Sequence, residues 1–429
     1  MGNTKHPIRL TQELLKILML ELKHIPKSLL VFLRWGILTL VIGIIIGFVG
    51  VSFVYTIHKV TELRQDFPWI LLGLPFGGML IVFIYRITRN HDDRGTNTVI
   101  ASLRSESTIP AKMAPLIFIS TAITHLFGGS AGREGAALQI GGSIAHLFGK
   151  VFRLNEADMR ILILAGMSAA FSAIFRTPIA AVVFAMEVGF IGVMRYSALL
   201  PCTIASVTAS FVAEKCGLGL TQYSVLNIPQ ITPVSILQTL MLGILCAVVS
   251  IVFCILLHAA EELMEHYIKN PYLRIAAAGI TILLLGLLFQ SFDYFGVGEQ
   301  VIHNAIAGKT VWYAFLAKML FTAVTLGGGF KGGEIVPTFF IGATFGCLMG
   351  SILGLSPSLC AALGMIALFC GVTNCPLASL LIAAELFGMQ CVPFALIVIA
   401  VSFLLSGYQG LYKEQRFLYS KYKDEQIKE

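Results

Sequence analysis

Apolar residues follow one another along this chain in runs at roughly 31–57, 69–88, 113–126, 158–175, 177–195, 197–214, 235–259, 274–291, 312–326, 338–354, 359–373 and 376–407. A helix that crosses a bilayer needs about 20 such residues, so the pattern predicts a series of membrane helices, several too short to span upright. The runs at 113–126 and 312–326 pass straight into glycine-rich stretches, which predicts helices that stop inside the membrane. Bare backbone at that depth is tolerated only where it is buried in protein or lines a wet cavity. Broken helices of this kind are where transporters hold their ligands. Ahead of the first run, Leu10, Leu14, Leu15, Ile17, Leu18 and Leu20 are spaced as one face of an amphipathic helix. No short apolar stretch with a small-residue cleavage site precedes it, so residues 1–30 read as a surface helix rather than a secretory signal.

Composition agrees with that reading. Hydrophobic residues make up 57% of the 429 positions and charged residues only 12%, against about a quarter charged in a soluble domain. A soluble enzyme is excluded, and one polytopic membrane domain fits better than three soluble ones. The net charge of +7 gathers at the ends and in short connectors. Lys5, Arg9, Lys16, Lys23, Lys27 and Arg34 face only Glu13 and Glu21 near the amino terminus, while Lys413, Arg416, Lys421, Lys423 and Lys428 in the tail are set against a comparable number of acids. A basic flank beside the first span predicts a cytoplasmic amino terminus in the cell membrane, with the tail on the same side. The clusters lack aromatic interleaving, so nucleic acid is not an expected partner. The nine cysteines are scattered through apolar runs without CxxC spacing and read as small core residues.

Self-comparison divides the chain. Residues 165–190 match 363–388 without a gap: Gly166 and Gly364, Met167 and Met365, Phe171 and Phe369, Pro178 and Pro376, and Glu187 and Glu385 each lie 198 positions apart. Upstream of each copy is a glycine-rich acidic loop, GGSAGREGAALQIGG from Gly128 and GGGFKGGEIVPTFFIGA from Gly327, with Glu134 and Glu334 placed 200 apart. The predicted organisation is a cytoplasmic helix at 1–30, membrane repeats at 31–215 and 230–408, and a short cytoplasmic tail at 409–429. Such repeats often have inverted topology, with the ligand site at their interface.

The first loop surrounds Arg133 and Glu134 with Gly128, Gly129, Gly132 and Gly135, and a helical pattern follows. A helix start exposes unpaired amide hydrogens and the positive end of the dipole, so a glycine-rich turn there makes an anion seat. The plainer alternative is close helix packing through glycine. Glu134 favours function, because a carboxylate at membrane depth is costly. As a tethered competitor that leaves the seat when protonated, it would be both gate and proton carrier.

The GREG loop at 132–135, the second glycine loop with Pro337, the two-half repeat, the stretch into Pro178, FAME at 184–187 and the Leu411–Tyr412 pair together resemble the CLC family of anion channels and proton-coupled anion exchangers. The resemblance covers nearly the whole chain. It implies an all-α polytopic membrane protein of two inverted-topology repeats with broken and tilted helices. It also implies a homodimer in lipid whose subunits each carry a pathway for chloride or fluoride, with protons as the coupled ion and no cofactor or metal. Residue by residue, it implies that Gly132, Arg133, Glu134 and Gly135 form the external gate loop. Thr96 and Asn97 fall at the family's central anion site, where the Thr96 hydroxyl can still donate. Gly333, Glu334, Ile335 and Val336 fall in the second anion-facing loop. Tyr412 falls at the inner gate, with Tyr408 as the alternative.

Chloride exchangers of the family carry an internal proton-relay glutamate where this chain has Val188, and taken alone that valine suggests a passive channel. Valine there together with GGExxP in the second loop looks like the fluoride-exporting branch, which exchanges fluoride for protons without that relay. That branch usually has a methionine near Thr96 and a threonine at Val336, and this chain departs from it at both. The expectation is a proton-coupled antiporter that prefers fluoride. Glu187 and Glu385 read as helix residues paired with backbone, Arg176 as an interfacial charge, and His125 as a packed histidine. His258, Glu261, Glu262 and His266 read as a solvated helix end, since no HExxH is formed. An intramembrane enzyme would need a nucleophile, a base and a third group, and Ser130 has only His125 nearby in sequence. Fewer than about 25 residues follow the last run and a folded domain needs at least about 40, so no regulatory nucleotide-binding tail is expected.

Overall fold

The structure, a computed structural model, describes residues 6–90, 94–104, 108–220 and 222–427, with side chains from residue 28 onward. Residues 1–5 and Lys428 therefore lie outside the described residues. The helices run α1 (His6–Asp66), α2 (Leu74–Ile87), α3 (Thr96–Ser102), α4 (Met113–Leu126), α5 (Glu134–Val151), α6 (Glu156–Phe175), α7 (Pro178–Glu187) and α8 (Leu199–Lys215). After a connector come α9 (Pro233–Tyr267), α10 (Pro271–Phe289), α11 (Glu299–Ile306), α12 (Ala314–Gly327), α13 (Ile335–Leu353), α14 (Pro357–Thr373), α15 (Pro376–Phe387) and α16 (Val392–Leu405). Among the described residues, seven helical segments are long and apolar enough to cross a membrane. The protein is an all-α polytopic membrane protein.

The structure differs from the sequence pattern in three places. Residues 6–66 form one helix of 61 residues, so the expected surface helix and the first span are continuous. The run 376–407 is broken: Gly388 adopts φ 83°, a tight turn at Met389–Cys391 follows, and Pro393 opens α16 without needing a helical donor. The run 177–195 yields only the ten-residue α7 before β1 (Phe190–Ile191), which pairs in parallel with β2 (Arg416–Phe417) and so ties the tail to the membrane domain.

Close packing through glycine joins two pairs of helices. A Cβ on Gly141 would lie 2.2 Å from the Gly166 carbonyl, and one on Gly342 2.5 Å from the Gly364 carbonyl. The α5–α6 and α13–α14 pairs are thus held backbone to backbone. The amino-terminal ends of α5 and α13 come together, with Gly132 bridged to Gly333 just ahead of them. α4 and α12 have 14 residues each, about 21 Å of helix against a hydrocarbon core of about 30 Å. They end inside the protein, where the glycine loops begin.

Candidate functional site

The two loops meet through their backbones. Gly132 N–H donates to the Gly333 carbonyl at 2.6 Å, and Gly333 N–H donates back to the Gly132 carbonyl at 2.8 Å. A Cβ on Gly333 would lie 2.5 Å from the Gly135 nitrogen, so the contact requires glycine. Threonines of α12 brace the first loop: Ser130 N–H donates to Thr325 Oγ1 at 3.0 Å, and the Ser130 and Thr322 hydroxyls pair at 3.1 Å. Ser130 is therefore a brace. His125 is wholly buried with Nδ1 on the Thr121 carbonyl at 2.9 Å, and the Arg64 guanidinium donates to the His125 carbonyl.

Each loop delivers a glutamate to the start of a helix. Glu134 is the first residue of α5 and is wholly buried. Its Oε2 accepts the Arg133 backbone N–H at 3.0 Å, Arg133 Nε lies 3.6 Å from Oε1, and Oε1 has no hydrogen-bond partner in the protein. Arg133 also reaches His58 Nε2 at 3.4 Å. Glu334 caps α13 with its backbone alone, and its buried Oε2 likewise has no partner. Added Cβ atoms locate these oxygens: one on Gly132 would lie 2.7 Å from Glu134 Oε2, and one on Gly135 would lie 3.1 Å from Glu334 Oε2 and 3.3 Å from Thr96 Oγ1. Two carboxylates and a hydroxyl thus crowd the paired glycines. Ile335 and Val336 are buried in the first turn of α13, where amides have no partner within the helix.

A cavity of 1260 Å³ leads to this point, lined by Thr96, Asn97, Gln139, Glu334 and Tyr412. Glu134, Gly132, Arg133, Gly135, Gly333, Ile335 and Val336 are not on its wall. Thr96 Oγ1 donates to the Gly135 carbonyl and accepts from Gln139 Nε2, each at 3.3 Å. Gln139 Oε1 and the Tyr412 hydroxyl are buried without a partner. Gln139 is not singled out by the sequence pattern, where it is a lone amide inside an apolar helix, five residues after Glu134. Asn97 Oδ1 accepts the Glu414 backbone N–H at 3.2 Å, so part of its side chain holds the tail. Tyr412 is 4% exposed, whereas Tyr408 is 44% exposed and its hydroxyl pairs with Ser420 at 3.1 Å.

Farther out the wall is basic, with Arg86, Arg94, Lys269, Arg274, Lys331 and Lys413. Three carboxylates offset part of this charge, Glu265 on Arg274 at 2.9 Å, Glu261 on Lys413 at 2.8 Å and Glu414 on Arg94 at 3.4 Å. The expected solvated helix end is therefore partly cavity wall, since His258 and Glu261 line it and His258 Nε2 lies 3.4 Å from the Leu411 carbonyl. Among the described residues no group of three or more His, Cys, Asp or Glu side chains could hold a metal.

Glu187 and Glu385 cap each other's helices. Glu187 accepts the Leu377 and Ala378 N–H groups of α15 at 3.2 and 2.9 Å; Glu385 accepts Ile179 and Ala180 of α7 at 3.1 and 2.8 Å. Arg176 is 7% exposed, a left-handed helix end whose guanidinium donates to the Ser210 carbonyl and, at 2.9 Å, to Glu214. It is a buried brace more than an interfacial charge.

Comparison with known proteins matches this architecture. The family model described as voltage gated chloride channel matches residues 77–407. A chloride/fluoride channel protein of Pseudomonas syringae pv. tomato is 34% identical over 91% of this chain and 88% of its own length. An H(+)/Cl(-) exchange transporter, ClcA of Vibrio cholerae, is 24% identical over 81% of each chain. The crystal structure of a CLC-type fluoride/proton antiporter superposes with a TM-score of 0.86 at 33% identity, over 90% of this chain and 98% of that one. A slow cyanobacterial Cl-/H+ antiporter shares the fold, with a TM-score of 0.75 at 21% identity. Paired glycine loops, broken helices and these likenesses together establish that the chain belongs to the voltage-gated chloride channel, or CLC, family.

Proposed function

We propose that this protein exchanges halide anions for protons across a membrane, with Glu134 as gate and proton carrier. One observation carries the reading: a wholly buried carboxylate opens a broken helix beyond a basic cavity, and one of its oxygens has no hydrogen bond. The helix start favours a negative charge, and the Glu134 carboxylate is that charge until it takes up a proton. Protonation removes the competitor, and an anion arriving along the cavity takes its place at the amides of the two loops. The anion's route from the cavity runs past Thr96, Glu334 and Tyr412, whose hydroxyls and, when protonated, carboxyl donate to it. Release of the proton on the other side returns Glu134 to the seat and expels the anion. Arg133, 3.6 Å away, steadies the charged form.

Fluoride is the preferred ion. It is the smallest and strongest hydrogen-bond acceptor among the halides, Val188 replaces the relay of chloride exchangers, and Glu334 adds a second carboxyl at the seat. The two relatives at 33–34% identity carry fluoride in their names. The working protein is a homodimer in the cell membrane, with both termini cytoplasmic and no enzymatic activity. Ile179, Leu377, Phe211 and Leu396 leave an apolar face on α7, α15, α8 and α16 that suits a second copy. The basic amino terminus supports the orientation.

Proteoliposomes loaded with fluoride or chloride and followed with halide and pH electrodes test this. Fluoride should leave faster than chloride and draw protons inward. Halide efflux without proton movement would make the protein a passive channel, and equal rates would reject the fluoride preference.

A further inference from the structure

Both chain segments flanking Tyr412 are fastened to one residue. Asn374 ends α14 in the left-handed conformation, at φ 58°. Its Nδ2 donates to the Gln409 carbonyl at 3.0 Å on one side of Tyr412 and to Gln415 Oε1 at 3.1 Å on the other. Gln415 Nε2 in turn donates to the Thr373 carbonyl at 2.7 Å and to the Val188 carbonyl at 2.9 Å. Leu411 N–H donates to the Val372 carbonyl at 2.8 Å. Asn374 is itself held from the far end of the tail, where Lys421 Nζ donates to Asn374 Oδ1 at 2.6 Å, to the Phe403 carbonyl at 2.8 Å and to Ser406 Oγ at 3.1 Å. The same ammonium lies 4.3 Å from the Phe403 ring and 5.6 Å from that of Phe417.

This is an unusual setting for a tail lysine. Its three acceptors are neutral oxygens, and burial pulls its pKa down to about 8. A lysine on a solvated tail would keep its charge in water. Here the charge is spent on joining the ends of α14 and α16 to β2, whose pairing with β1 completes the enclosure. Tyr412, between the fastened points, is buried with a hydroxyl that bonds to no protein atom, so nothing at the hydroxyl itself fixes where it points.

We propose that residues 409–421 are a latch that fixes the Tyr412 hydroxyl at the cavity, with Lys421 as its positioning residue acting through Asn374. The functional meaning of that hydroxyl rests on the anion pathway proposed above; the latch itself does not. Full-length protein carrying fluorotyrosine, studied by fluorine NMR with the Tyr412 line assigned through Tyr412→Phe, separates the two. In Lys421→Met, which keeps the ring contacts and loses the donors, the Tyr412 line should shift or broaden while that of Tyr294, packed against Phe289, Tyr313 and Phe321, stays in place. Lys421→Arg should restore the wild-type line. A folded Lys421→Met protein with an unmoved Tyr412 line overturns the latch, as does an equal shift of every tyrosine line, which would mean general loosening. Should Lys421→Met fail to fold, Gln415→Leu takes its place with the same expected shift and the same refutation. Wild-type flux in the same preparation reports separately on the transport reading, because the NMR line moves or stays whether or not protons are coupled.

Discussion

Glu134 and Glu334 stand at the starts of two different helices, and each leaves one buried oxygen without a donor. That condition is costly for an ionised carboxylate at membrane depth, and it is relieved by protonation or by rotation of the side chain away from the seat. Thr96 is the neutral counterpart, since its hydroxyl is already bonded to Gly135 and Gln139 and would have to turn to serve the proposed anion pathway. Thr96→Val keeps the shape and removes the donor. Halide affinity measured by isothermal titration should fall roughly fivefold, the equivalent of about 1 kcal/mol for one net hydrogen bond; unchanged affinity would remove Thr96 from the pathway. The glutamates were legible in the sequence because charge is scarce and they share an offset with the repeat. Gln139 was not, because a lone amide in an apolar helix carries no periodic signal, and its role depends on which way α5 is turned.

The helices α7 and α15 have ten and twelve residues, too few to be stable alone. Each begins at a proline after a left-handed residue, Arg176 or Asn374, and has its first amides capped by the glutamate in the last turn of the other. Glu187→Ala and Glu385→Ala should each cost about 0.5–2 kcal/mol through the lost cap. A lowered thermal midpoint with intact ion selectivity is the expected result, and loss of selectivity at an unchanged midpoint would assign these carboxylates to the pathway instead. Gly141→Ala tests the other packing device. Its methyl would collide with the Gly166 backbone, so folded yield should drop sharply, and normal yield would mean that α5 and α6 separate easily. The proline and glutamate pairs could be read at the 198-residue offset, but their reciprocity could not, since capping between helices appears only when the two are brought together. The breaks at Gly388 and within 177–195 were hidden inside continuous apolar sequence. Pairing of two-residue strands 226 positions apart leaves no local trace.

At the scale of the whole molecule, one cavity brings basic side chains together with Thr96, Tyr412 and Glu334. Arg86, Arg94, Lys269, Arg274, Lys331 and Lys413 are on its wall, and Glu134 is buried off it. Cations in a low-dielectric vestibule raise the local concentration of anions, and salt weakens that field as the screening length falls from about 10 Å at 0.1 M to about 3 Å at 1 M. Halide flux at a fixed gradient should therefore decline as an inert salt is added, and a flat response would mean that the vestibule does not steer. Composition announced the membrane and the glycine loops announced broken helices, yet the cavity itself was not legible, because its wall is assembled from α2, α3, α5, α9, α10, the second glycine loop and the tail, far apart in sequence. The central claim is that proton movement passes through Glu134. In proteoliposomes, an outward fluoride gradient should drive protons uphill through the wild-type protein and move none through Glu134→Gln; proton uptake persisting in that variant would contradict the account.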